Sequence, residues 1–257
     1  MNTAALDLAI LGLPFVAGLL VLATHVPLGR QVLDRGIVFI DLAIAQIAGL
    51  GVIAADAMGF GAQGLVMQAS AVGAALLGAA LLTWTERRVA QQQEALIGVL
   101  FVLASCAGIL LLAHNPHGGE HLKELLVGQI LWVDGTQVAW LAAVTAAVLL
   151  AMRVGVLRRF GRFGFYGVFA VAVTASVQVI GVYLVFSALI VPALATRALS
   201  GARRAAWAYG LGGCGFALGL AASAWLDLPS GALIVWSLAL CGLVVALQPA
   251  HKEKPAP

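Results

Sequence analysis

Runs of about twenty apolar residues, each closed by Gly, Pro, Asn or charged residues, recur along the whole chain, covering residues 6–26, 37–57, 64–84, 94–113, 136–153, 205–225 and 229–247. At ~1.5 Å of rise per residue, ~20 residues cross the ~30 Å hydrocarbon core of a bilayer. The pattern therefore predicts an all-α polytopic membrane protein. A further apolar stretch, 164–196, is too long for one ordinary crossing and short for two.

The placement of charge decides how that stretch is read. Lys and Arg mark the cytoplasmic loops of membrane proteins. Thirteen of the fourteen basic residues fall in five clusters: Arg30/Arg35, Arg87/Arg88, Arg153/Arg158/Arg159/Arg162, Arg197/Arg203/Arg204 and Lys252/Lys254. A single crossing over 164–196 puts the two arginine-rich loops flanking it on opposite sides. Two short crossings, turning near residues 178–181, place every cluster inside and leave only Lys123 outside. The expected architecture has eight to nine transmembrane helices, with a paired or half-helix region at 164–196, the N-terminus outside and the C-terminus cytoplasmic. A half-helix at membrane depth belongs where it lines a cavity.

Composition narrows the class further. The chain of 257 residues is 62% apolar and 10% charged, against roughly 45–50% apolar for a soluble domain. One integral domain, 1–257, leaves no room for a soluble catalytic or nucleic-acid-binding unit. The N-terminal run lacks a basic n-region and a small-residue cleavage site, so it is expected to remain as the first span. Cys106, Cys214 and Cys241 lie inside apolar runs without a pairing pattern, and a packing role is expected for them.

Polar residues inside spans point to pathways. Asp41, Gln46 and Gln178 are the candidates. Asp41 near a helix N-terminus is also stabilised by the helix dipole, so both readings stand. Five residues separate Asp41 from Gln46, which puts them roughly 140° apart on a helix and prevents both from ligating one ion. Gln178 either lines a cavity entrance or satisfies the backbone of the turn. Outside the spans, His114, His117, Glu120 and His121 concentrate metal-ligand chemistry in the segment HNPHGGEH. Imidazole and carboxylate suit Zn²⁺ and related ions, and Pro116 and Gly118-Gly119 predict an irregular extracytoplasmic loop. The same residues also fit a solvated polar loop.

Several ordered strings resemble one family. Residues 29–51, GRQVLDRGIVFIDLAIAQIAGLG, are similar to the second-span signature of the zinc/manganese/iron-type permeases of bacterial ABC metal importers. The family's E-A-x-I-G matches Glu94-Ala95-Leu96-Ile97-Gly98, its L-L-x-G-x-x-L matches Leu125-Leu126-Val127-Gly128-Gln129-Ile130-Leu131, and its Q-V-x-G and L-I-x-P-A match Gln178-Val179-Ile180-Gly181 and Leu189-Ile190-Val191-Pro192-Ala193. The resemblance implies an inner-membrane homodimer, two cytoplasmic ATPase subunits and an extracytoplasmic binding protein that delivers the metal. It implies a transporter subunit rather than an enzyme. No cofactor is held stably; the divalent metal, zinc first and manganese or iron next, is cargo. ATPase coupling falls on Arg197, Ser200, Arg203 and Arg204, which the positive-inside rule alone also explains.

The chain departs from the family at one telling place. Members carry His four residues after the second-span Asp; here Ala45 stands at that spacing and Gln46 follows it. A neutral amide suits a transient, partly hydrated ion better than a tight site. Three other functions remain as alternatives: a permease for a metal chelate such as a siderophore or cobalamin, a proton-coupled secondary transporter, and an intramembrane metalloprotease. The last two lack support, since Asp41 is the single candidate relay carboxylate, no clear repeat exists and H-E-x-x-H is absent. No G-x-x-x-x-G-K-[ST] phosphate loop occurs, so ATP use belongs to a partner. The glycines of residues 210–219 are expected to let helices approach, with Gly215-x-x-x-Gly219 as the contact.

Overall fold

The apolar runs become nine long helices among the described residues. These are α1 (Leu8–Arg35), α2 (Ile40–Ala57), α3 (Gly64–Arg88), α4 (Gln93–Leu112), α5 (Gly135–Arg153), α6 (Gly161–Ile180), α7 (Val182–Ala195), α8 (Gly201–Leu226) and α9 (Ser230–Leu247), with a single helical turn at Val156–Arg159. The computed structural model describes residues 8–60, 64–88, 90–112, 126 and 128–247, and no strand occurs among them. Eight helices are long and apolar enough to cross a membrane; α7, with 14 residues, is the exception.

The 164–196 stretch is indeed two helices. They break at Gly181, whose φ of 80° and ψ of 162° favour glycine. Contacts along α6 and α7 give their directions. Phe165, near the start of α6, lies under the Arg35 guanidinium at 3.9 Å, and Arg162 pairs with Glu86 at 3.3 Å. At the far end of α6, Gly128 packs against Ile180 and Gly181. Helix α6 thus runs away from the arginine-rich end. Helix α7 returns to it: Arg204 donates to the Ala193 carbonyl at 3.5 Å, and Gly242 of α9 faces Val191 and Ala195. Fourteen residues at ~1.5 Å give ~21 Å, short of a full crossing.

Several helices outrun the apolar stretches that predict them. Helix α1 continues to Arg35 through Pro27, and Arg30 pairs with Asp34 at 3.8 Å on its exposed last turns. Helix α3 reaches Arg88, and α8 begins at Gly201. Hydropathy marks the apolar part of a helix, whereas backbone hydrogen bonding continues into charged turns. Helix α5 begins in a capping box. Asp134 accepts from the Gln137 amide at 2.8 Å while the Gln137 side chain accepts from the Asp134 amide at 3.1 Å.

Packing sorts the helices into sets. Helix α1 lies against α5, α7 and α8, and α9 lies against α7 and α8; α2 lies against α3 and α4. Helix α6 touches α2 and α3 on one side and α1, α5 and α7 on the other. Its Phe165, Tyr166 and Phe169 are fully buried. Small residues set the closest approaches, as expected for helices that gain little from hydrophobic exclusion in lipid. A Cβ added to Gly215 or Gly219 would strike Leu238 or Ile234 of α9, and one on Gly29 would strike the Leu189 backbone of α7. The three cysteines are free. Cys106 and Cys214 lie on exposed helix surfaces, so of the expected packing roles only that of half-buried Cys241 matches its position.

Candidate functional site

A cavity of about 840 Å³ lies between α2, α4, α7 and α9. Its walls are mostly apolar, and its polar groups are the Gln46 amide, the Tyr183 phenol and the hydroxyls of Ser105 and Ser187. Both hydroxyls donate along their own helices, to Phe101 O at 2.8 Å and Tyr183 O at 2.9 Å. Among the described residues no charged side chain lines it.

Four aromatic residues, Phe39, Phe101, Phe186 and Trp236, stand on the side nearer the arginine-rich end; Leu126, Val182 and Gly231 stand on the other. The Phe39 and Phe186 rings are stacked across it, with centroids 6.3 Å apart and planes 9° from parallel.

The polar residues of α2 separate as their spacing requires. Gln46 is half-buried on the cavity wall. Asp41 does not line the cavity; it is 1% exposed, and neither carboxylate oxygen has a hydrogen-bond partner among the described residues. It lies in the first turn of α2, where the positive end of the helix dipole favours a carboxylate. A second carboxylate serves the same helix end. Glu94 Oε1, from the first turn of α4, accepts from the Phe39 amide at 3.3 Å, one of the amides that a helix start leaves without an intrahelical partner. Its Oε2 is buried and has no partner among the described residues.

Gln178 lies one turn before the Gly181 break, with both amide atoms buried and without partners among the described residues, and it is not among those that line the cavity. One turn earlier on the same helix, the Thr174 hydroxyl is likewise buried and unpaired. Ser200 is the N-cap residue of α8 but makes no side-chain cap bond. Beside it Arg197 and Arg203 are exposed, while Arg204 reaches back to α7. His114, His117, Glu120 and His121 lie outside the described residues. Among the described residues no group of three or more His, Cys, Asp or Glu is placed to hold a metal ion.

Sequence reasoning missed three features. His25 is fully buried in α1, its Nδ1 close to Val21 O and Thr24 Oγ1 at 3.0 Å and its Nε2 without a partner among the described residues. Gln93 joins three helices: its amide donates to Leu82 O at 3.1 Å and to the Tyr166 hydroxyl at 3.3 Å, and it accepts from Thr85 at 3.2 Å. The third is the Phe39–Phe186 pair, which no local pattern announces.

Comparison with known proteins gives two findings. The family model ABC-3, described as the ABC 3 transport family, matches residues 8–161 and 150–248. The fold is similar to that of "PsaBC from Streptococcus pneumoniae in complex with Fab", with a TM-score of 0.76, 19% identity and coverage of 95% of each chain. No curated protein sequence matches.

Proposed function

The chain belongs to the ABC 3 transport family, and from that premise we propose that this multi-pass transporter permease carries a divalent transition metal ion, zinc first and manganese or iron next, into the cytoplasm. The observation that supports the reading is Gln46 on the wall of a mostly apolar cavity. A neutral amide and hydroxyl oxygens replace part of an ion's hydration without trapping it, which suits passage rather than storage. In this reading Asp41, buried behind that wall, and Gln178, near the α6–α7 break, belong to the same path.

In this reading the permease acts as a homodimer in the inner membrane, with the arginine-rich end cytoplasmic, the N-terminus outside and the C-terminus inside. Cytoplasmic ATPase subunits engage Arg197, Ser200, Arg203 and Arg204 between α7 and α8. An extracytoplasmic binding protein delivers the ion, and His114, His117, Glu120 and His121 concentrate it at the entrance. The permease contributes no hydrolytic chemistry of its own.

The cavity supports a second reading. About 840 Å³ lies within the ~300–1,000 Å³ of sites for drug-sized molecules, so a metal chelate fits as cargo. One reconstitution separates the readings. The permease is placed in proteoliposomes with and without its ATPase partner, and uptake of free and chelated metal is followed with a trapped fluorescent indicator. ATP-dependent uptake of free Zn²⁺ is expected. Uptake of chelate alone favours the second reading, and uptake by the lone permease under a proton gradient refutes both.

A further inference from the structure

We propose that Phe39 and Phe186 are the gate residues that seal the cavity at its arginine-rich end, and that Glu94 is the positioning residue that holds the gate shut. The proposal rests on the transport reading above and names how that path is closed. Its basis is the way the cavity ends. On α2 the lining begins at Phe39, and on α7 it stops at Ser187; nothing nearer the arginine-rich end of either helix reaches it. The two rings stack there at 6.3 Å and 9°, and Phe101 of α4 and Trp236 of α9 line the same end of the cavity. A hydrophobic constriction of this kind stops ions by excluding the water that solvates them.

The stack joins helices that otherwise touch little, since α2 packs mainly on α3 and α4, and α7 on α1 and α9. It is held by ring contact alone, so the rings part without leaving a buried polar group unpaired. What fixes the Phe39 ring is its backbone. Phe39 precedes the first turn of α2 with φ −91° and ψ 10°, makes no side-chain cap, and donates its amide to Glu94 Oε1 at 3.3 Å. A single acceptor from α4 thereby positions the residue that carries half of the gate. Opening requires α4 and α2 to move together, or this bond to break.

The test measures passive leak, which is independent of ATP-driven transport. The permease–ATPase complex is reconstituted without nucleotide into proteoliposomes holding a Zn²⁺ indicator, and Zn²⁺ is added outside. The wild type is expected to stay tight. Phe39→Ala and Phe186→Ala are each expected to raise the leak at least tenfold, and the double variant no further than either single one. Glu94→Ala should leak, whereas Glu94→Gln, which keeps a carbonyl acceptor, should stay close to wild type. The two alanine variants lie on different helices, and monodisperse elution on gel filtration certifies each, so misfolding of one leaves the other as the test. Leak at the wild-type level in a correctly folded Phe186→Ala or Phe39→Ala overturns the gate. Failure of ATP-driven uptake in the wild type with leaky alanine variants instead keeps the gate and refutes the importer reading.

Discussion

Replacing Gly219 by Ala adds one methyl group to the closest part of the α8–α9 contact. At its ideal position the new Cβ lies 2.7 Å from Ile234 Cγ1 and 2.8 Å from Ile234 N. Ordinary contacts begin near 3.4 Å and Ile234 Cα is closer still, so α9 must withdraw by at least about 0.6 Å to clear the backbone nitrogen alone. The backbone nitrogen cannot rotate away as a side chain would. Overpacking of this kind costs roughly 1–3 kcal/mol, and for a chain of this size each kcal/mol moves Tm by roughly 2–4 °C. The expected drop is therefore roughly 2–12 °C. Gly210→Ala on the same helix supplies the control, because nothing lies within 4 Å of its added Cβ; helix propensity alone favours that change by up to about 1 kcal/mol. Thermal unfolding of the purified proteins in one detergent, followed by intrinsic tryptophan fluorescence, compares them. Equal Tm values for Gly219→Ala and Gly210→Ala refute the argument that the glycine is there for close approach.

Two further substitutions test other parts of the structure. Gln93→Leu removes three hydrogen bonds among Leu82, Thr85 and Tyr166; at about 0.6 kcal/mol per interhelical polar contact in a membrane protein, the loss is roughly 2 kcal/mol, seen as a Tm lower by roughly 4–8 °C, and an unchanged Tm refutes the network. Replacing His114, His117 and His121 together by Ala is expected to lower uptake at limiting metal and leave uptake at saturating metal intact; unchanged uptake at limiting metal sinks the capture role.

Much of the fold was legible because lipid imposes it. Apolar length gave the spans, and the arginine clusters favoured a reversal between 164 and 196 over one long tilted helix; the backbone makes it at Gly181. Helical spacing correctly separated Asp41 from Gln46, and the Gly215–Gly219 pair correctly announced a tight contact. The cavity was less legible, because its residues meet across long sequence separations. Glu94 bonds an amide 55 residues away. Phe39 and Phe186 are two aromatics in an apolar sequence, with no local signature of pairing. Gln93 sits between the α3 and α4 spans and reads as a loop residue, yet tertiary packing makes it 3% exposed. A resemblance to the family carried the functional class, which hydropathy and spacing alone leave open.

The distribution of close glycine contacts has a mechanical meaning. Gly18, Gly29, Gly212, Gly215, Gly219 and Gly242 clamp α1, α7, α8 and α9 to one another, and Gly51 and Gly78 clamp α2 to α3. None of them clamps one set to the other. The cavity, walled by α2 and α4 on one side and α7 and α9 on the other, is therefore the seam between two stiff blocks joined chiefly through α6. Rocking about α6 widens or narrows the seam without disturbing a single glycine contact within either block. The molecule is built like a pair of jaws, with its softest line running through the site.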